Sequence, residues 1–265
     1  MWPEIFRIGN FPIRSYGVLL VIGVVIAIEI ARRRAPRHGI SPDKIWDSAM
    51  WLVIPGILGA RITYIVQNWS FYQQHQDQLW SIRFEGLTSF GGLIFGFLGF
   101  AVWSKRSKVP FWNYLDTVGV PVLVAQAVGR IGCLFNGCCY GRPTTEWYGI
   151  HFHDLPGKHV PAQLIDTFFM LLGALAIVLW EKKKTPKPGA SFGWFLVAYG
   201  VSRFIYEIFR AGTKADVANG VASSAYISGL PITLAQLTTI VLMVLGAVCI
   251  VASGRRSQAT VATAM

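Results

Sequence analysis

Charge is scarce in this chain: Asp, Glu, Lys and Arg make up 14% of 265 residues against 53% apolar, and the mean hydropathy is +0.47. That composition excludes an ordinary soluble domain. Acid is scarcer than base, with 13 Asp and Glu against 24 Lys and Arg. In a soluble protein the resulting charge of +11 would suggest a nucleic-acid partner. Here the basic residues stand in short segments between apolar runs, where they orient a chain in a membrane, so no nucleic-acid binding is expected. Internal repeats and paired interrupted helices are also missing, which argues against a transporter or channel. No small-residue cleavage site follows the first apolar run, which ends in Arg32-Arg33-Arg34, so that run reads as a retained helix and not a signal peptide.

What is present is a series of apolar runs, each long enough to cross about 30 Å of hydrocarbon as a helix. They cover Ser15–Ala31, Ser48–Gln67, Leu87–Trp103, Trp112–Phe135, Ala162–Trp180, Ser191–Phe209 and Pro231–Ser253. The expectation is an all-α, polytopic integral membrane protein of about seven transmembrane helices, forming one membrane domain over 1–265 with an outer segment at 137–161. If the segment after the first helix is inside, the inner segments hold 14 Lys and Arg and the outer ones 7. The bias predicts an outer N-terminus and an inner C-terminus. Trp103, Trp112 and Trp180 at run ends suit the headgroup region.

Three arginines, Arg61, Arg130 and Arg203, fall inside the apolar runs. Each costs at least about 2.5 kcal/mol to insert and needs a partner. The runs offer Asp116, Asp166 and Glu207 as anions, and Glu207, four residues after Arg203, shares its helix face. This assignment leaves Arg130 and Arg61 underpaired and points to an anionic ligand. A phospholipid phosphate entering from the bilayer matches the forked donors of arginine. Arg130, Arg203 and Arg210 lie toward outer helix ends, so the site is expected to open to the outer leaflet.

Around Arg130 the chain reads Gly129-Arg130-Ile131-Gly132-Cys133-Leu134-Phe135-Asn136-Gly137-Cys138-Cys139-Tyr140-Gly141-Arg142, rich in glycine where a helix should end. Glycine there permits close helix approach, or unwound backbone whose donors face a phosphate. Adjacent Cys138-Cys139 after a four-residue gap from Cys133 is not an ordinary zinc spacing, so neither a metal nor a cofactor is expected. A disulfide from Cys133 to Cys138 or Cys139 and plain packing of small residues both stay open, and Cys249 reads as packing.

Ordered motifs carry a family resemblance. Ile13-Arg14-Ser15-Tyr16-Gly17, Leu58-Gly59-Ala60-Arg61, the Gly129–Gly132 segment with Asn136 and Gly141, Pro161-Ala162-Gln163-Leu164-Ile165-Asp166, and Tyr199-Gly200-Val201-Ser202-Arg203 with Glu207 and Arg210 appear in order. Over about residues 11 to 250 the chain resembles the prolipoprotein diacylglyceryl transferases. The resemblance implies transfer of the diacylglyceryl group of phosphatidylglycerol to a lipobox cysteine of a preprolipoprotein, with release of glycerol phosphate, in the bacterial cytoplasmic (inner) membrane. It assigns catalysis to Arg130, Arg203 and Glu207. Binding of phosphatidylglycerol falls to Tyr16, Arg61, Gly129, Asn136, Gly141 and Arg210.

The departures bear on mechanism. Ser89-Phe90-Gly91-Gly92 stands where the family has Phe-His-Gly-Gly, Cys133 where it has Asn, and Cys138 where it has Glu. Three readings of the missing histidine stay open: another residue is the base, with His151, His153 and His159 as candidates; the acceptor thiol ionises unaided; or the chemistry is altered. The alternative to an enzyme is a noncatalytic or altered-specificity phospholipid-binding paralogue.

Overall fold

The computed structural model describes residues 4–8, 11–75, 88–152, 155–211, 226–227, 230 and 232–263. Eight α-helices are formed among them: α1 Ser15–Arg34, α2 Pro42–Gln67, α3 Trp69–Gln74, α4 Ser89–Ser107, α5 Phe111–Asn136, α6 Ala162–Lys183, α7 Ala190–Ala211 and α8 Leu234–Thr263. Over most of its described residues each apolar run lies on one of the seven long helices, and α3 is a single short addition. Five helices, including α1, α2, α5, α6 and α8, are long and apolar enough to cross a membrane. The other two long helices carry polar interruptions: α4 ends in Lys105 and Arg106, and α7 bears Arg203, Glu207 and Arg210.

The chain is not wholly helical. Strands β1 Glu4–Ile8 and β2 Phe11–Arg14 form an antiparallel hairpin that runs directly into α1. Strands β3 Pro143–Thr144, β4 Ile150–His151 and β5 Lys158–His159 form a small sheet in the order β3-β5-β4. Two-residue strands leave too short an alternation to be read from a sequence.

Polarity is distributed inside out. Gln163, Asp166, Asp116 and Glu207 are fully buried, whereas Phe97, Val244 and Leu234 are more than half exposed. A water-soluble chain does the reverse, and a surface this apolar suits lipid.

The described residues fall into two compact units, one within Met1–Ala31 and Leu115–Met265, the other within Arg32–Tyr114. In the second unit α2 packs on α4 through small residues: a Cβ on Gly96 would sit 3.2 Å from the Leu52 carbonyl, and one on Gly99 would collide with that of Trp51. Backbones this close exchange many weak contacts, the main attraction left to helices without a hydrophobic driving force. In the first unit Val120, Leu123 and Ala127 of α5 mesh with Met170, Ala174 and Ile177 of α6, and Phe195 and Ala198 of α7 close over them. The Asp116 carboxylate on α5 accepts the backbone N–H groups of Gly189 at 2.6 Å and Phe192 at 2.7 Å. It therefore caps the positive start of α7 and fixes that helix against α5.

Candidate functional site

Helices α5, α6 and α7 bring Arg130, Asp166, Arg203, Glu207 and Arg210 together in the first unit. Arg130 Nε lies 2.7 Å from Asp166 Oδ2, and Ser202 donates its hydroxyl to Asp166 Oδ1 at 2.6 Å. Glu207 Oε2 lies 3.2 Å from Arg203 Nη2 and 3.9 Å from Arg210 Nη1. The pairing of Arg203 with Glu207 follows the sequence expectation. The underpaired state expected of Arg130 is corrected by Asp166, which sequence separation had hidden. Arg61 is corrected too, since it has partners of its own in the second unit, where its guanidinium stands 5.7 Å from the Tyr72 ring centre.

One residue absent from the sequence expectations organises the cluster. The ring of Tyr206 is buried, and the guanidinium carbons of Arg130, Arg203 and Arg210 stand 4.5, 4.6 and 6.0 Å from its centre. Each is within about 6 Å of the ring centre, the range over which the negative ring face attracts a cation, and the aromatic surface helps to hold three like charges close without demanding a carboxylate for each. A clue existed in the alternation of Arg203, Tyr206, Glu207 and Arg210 at helical spacing, but Tyr at an apolar helix end is ordinarily an anchor.

The charges decide what the site can hold. Three guanidinium groups face two carboxylates, a net of one positive charge, and the arginine side chains keep 18 to 29% exposure while both acids are fully buried. The acids therefore stand behind and the arginines in front. Buried hydrogen-bonding atoms lack a partner in the same place: Arg130 Nε, Arg203 Nη1, Gln163 Oε1, Asp166 Oδ2 and both Glu207 oxygens, so the Arg130–Asp166 contact is close but not aligned as a hydrogen bond. Buried polar atoms are rarely left so, and an entering anion with acceptor oxygens would engage the arginines. A phosphodiester carries one negative charge and has this shape.

The end of α5 shapes the rim. Gly137, at φ +72°, terminates the helix, with its N–H bonded to the Leu134 carbonyl at 3.1 Å and the Cys138 N–H bonded to the Cys133 carbonyl at 3.0 Å. This is a Schellman stop, which sets the side chains of its first and last residues side by side. Here those are Cys133 and Cys138, and Cys139 turns back at φ +63°, so the three sulfurs lie within 4.8 Å of one another. All four cysteines are free thiols. Spacing alone did not foresee this convergence, because it is made by the helix stop and not by helix periodicity. Asn136 stands within hydrogen-bonding reach of Cys138.

Gln163 Nε2 donates to the Cys138 carbonyl at 2.7 Å and the Tyr206 hydroxyl to that of Cys139 at 3.2 Å. Gly141 is a steric necessity: a Cβ there would meet the Phe209 carbonyl at 2.7 Å and Val160 at 2.9 Å. Tyr16 on α1 packs against Gly132, where a Cβ would lie 3.3 Å from its ring, while Gly129 faces open space. Of the candidate bases, His159 is buried against Tyr140 and Phe152, with ring centres 5.3 and 6.3 Å away, and burial pushes its imidazole below the ordinary range. His151 is exposed on β4, and His153 lies outside the described residues.

The family model for prolipoprotein diacylglyceryl transferase matches residues 3–252. The chain belongs to that family. Among its relatives, the phosphatidylglycerol–prolipoprotein diacylglyceryl transferase of Acaryochloris marina is 33% identical over 260 residues, covering 91% of each chain. Those of Streptococcus pyogenes serotype M3 and Clostridium tetani are 32% and 30% identical, covering 86% of this chain and 90% and 92% of theirs. Within the family frame, Gln163, Asp166, Ser202 and Tyr206 join Arg130, Arg203, Glu207 and Arg210 as parts of one cluster. Phe90, in the first turn of α4, and Arg61 belong to the second unit.

Proposed function

We propose that this protein is a membrane transferase that moves the diacylglyceryl group of phosphatidylglycerol to the lipobox cysteine thiol of a preprolipoprotein. The observation that carries the reading is the set of three arginines fanned over Tyr206 with two acids buried behind them, a net single positive charge facing outward. The attacking sulfur forms a bond to the glyceryl carbon that bears the phosphate. As the C–O bond breaks, its electron pair leaves on the phosphate oxygen of glycerol phosphate. Arg130 and Arg203 hold the phosphate and stabilise the growing charge, Arg210 widens the positive face, and Glu207 and Asp166 orient the guanidinium groups. Tyr16, Asn136 and the glycines at 129 and 141 shape the entrance for the lipid.

The same reading takes the seven long helices as seven spans in a bacterial cytoplasmic membrane, with the N-terminus outside and the C-terminus inside. The 14-to-7 bias of Lys and Arg supports that orientation, in which the cluster faces the outer leaflet. The test is conversion of a lipobox peptide by the purified protein in phosphatidylglycerol vesicles, followed as a mass gain of one diacylglyceryl group. A folded protein that binds phosphatidylglycerol and never adds the group would overturn the transferase reading.

A further inference from the structure

The three clustered thiols need an explanation beyond packing. A zinc ion held at about 2.3 Å by three sulfurs sets them about 3.8 to 4.0 Å apart. The sulfurs of Cys133, Cys138 and Cys139 already lie within 4.8 Å, so a contraction of under about 1 Å, within the reach of small rotamer changes, closes the site. Two of the three backbones are pinned from behind by the buried side chains of Gln163 and Tyr206. Cys139 holds a left-handed conformation, which costs a non-glycine residue about 1 kcal/mol or more and is kept where the surroundings enforce it.

The location gives the site a use. Cys133 follows Arg130 by three residues on one face of α5, and Tyr206 touches both groups, its ring against Arg130 and its hydroxyl on the Cys139 carbonyl. The trithiol therefore adjoins the arginines proposed to hold the phosphate. A metal with three protein ligands keeps a fourth position open, and a thiol bound there is deprotonated outright. No protein base is then needed, which answers the phenylalanine at position 90.

We propose that Cys133, Cys138 and Cys139 form a three-thiolate site for a zinc-class ion, whose fourth position binds and activates the acceptor cysteine of the lipoprotein substrate. The activating role rests on the transferase reading; the metal site does not. As the ion binds, the three protein thiols release their protons to water, and the acceptor S–H does the same on entering the fourth position. The resulting metal-held sulfur attacks the glyceryl carbon as the C–O bond to phosphate breaks, and the thioether product leaves the ion.

The test uses the full-length protein in detergent with Cys249→Ser, reduced, stripped by a chelator and titrated with zinc or cadmium chloride. One ion should bind per chain, cadmium should give a thiolate charge-transfer band, and the three cysteines should be protected from alkylation. Cys133→Ala, Cys138→Ser and Cys139→Asn, the last suited to a left-handed turn, should each weaken binding at least about tenfold. In the transfer assay, zinc should restore the stripped enzyme. It should also flatten a rate that otherwise climbs with pH toward the thiol value of about 8.5. Failure to bind either ion, or a native disulfide joining two of the three thiols before reduction, overturns the site. Full activity of the stripped enzyme overturns the activating role while leaving the transferase reading intact. Metal binding without transfer under any condition overturns the transferase reading, and the activating role with it, but leaves the site standing.

Discussion

Arg130 and Asp166 meet at 2.7 Å from helices α5 and α6, and the carboxylate is fully buried while the guanidinium keeps an exposed edge. The pair is thus one-sided: the acid serves to aim the arginine, and the remaining donors face whatever enters. Replacing Arg130 or Arg203 by Ala should lower transfer by about 10²-fold or more, the scale of losing a charge-stabilising donor, while the protein still accumulates. Lysine should rescue poorly, because a point charge cannot make the forked contact. Mass gain of a lipobox peptide measures both, and wild-type activity in Arg130→Ala would remove that residue from the site.

Tyr206 separates ring from hydroxyl. Tyr206→Phe keeps the aromatic face and loses the bond to the Cys139 carbonyl, a cost of about 1 kcal/mol in stability. Tyr206→Leu removes the surface over which three arginines gather, and should raise the KM for phosphatidylglycerol well beyond the phenylalanine variant. Equal KM values for the two would show that the ring does not organise the cluster.

His159 predicts a pH effect confined to the outer segment. Burial depresses its folded value, so the fold favours the neutral ring. The stability it allows is complete above the unfolded value of about 6.5 and is lost as pH falls below that toward the folded value. Hydrogen exchange across 140–160 should accelerate as pH drops through that window, after correction for intrinsic rates. His159→Gln should abolish the dependence, and its persistence would assign the effect elsewhere.

Gly141→Ala places a methyl against the Phe209 carbonyl and Val160. Overpacking against backbone should cost about 1 to 3 kcal/mol, seen as a lower thermal midpoint. An unchanged midpoint would mean that the segment relaxes freely.

Phosphatase fusions test the orientation. Activity is expected for fusions in 68–85, 137–161 and 211–229; activity in 104–110 or 181–190 instead would reverse the proposed topology.

The long helices were legible because their apolar runs and terminal basic residues are local signals; Trp103, read as suited to the headgroup region, is instead buried against Phe100 and Tyr114. Arg203 with Glu207 was legible for the same reason, being four residues apart on one helix. Asp166 as the partner of Arg130 was not, since it depends on how α5 and α6 are rotated against each other. The gathering of three cysteines was hidden by treating spacing as if the helix continued, whereas Gly137 stops it and folds Cys138 back onto Cys133. The brief sheets of the outer segment left no periodicity to read.

The charges on α7 have a consequence for how the protein is made. Arg203, Glu207 and Arg210 leave α7 outside the group of five helices that are long and apolar enough to cross a membrane. In the proposed seven-span arrangement, each intramembrane arginine adds about 2.5 to 3.5 kcal/mol against spontaneous entry. The stabilising company for α7 is carried by segments synthesised earlier: Asp116 at its start, and Asp166 against Ser202 midway. In that arrangement α7 would join the bilayer as the partner of α5 and α6 already in place, so that a chain lacking α6 should expel α7 rather than strand it.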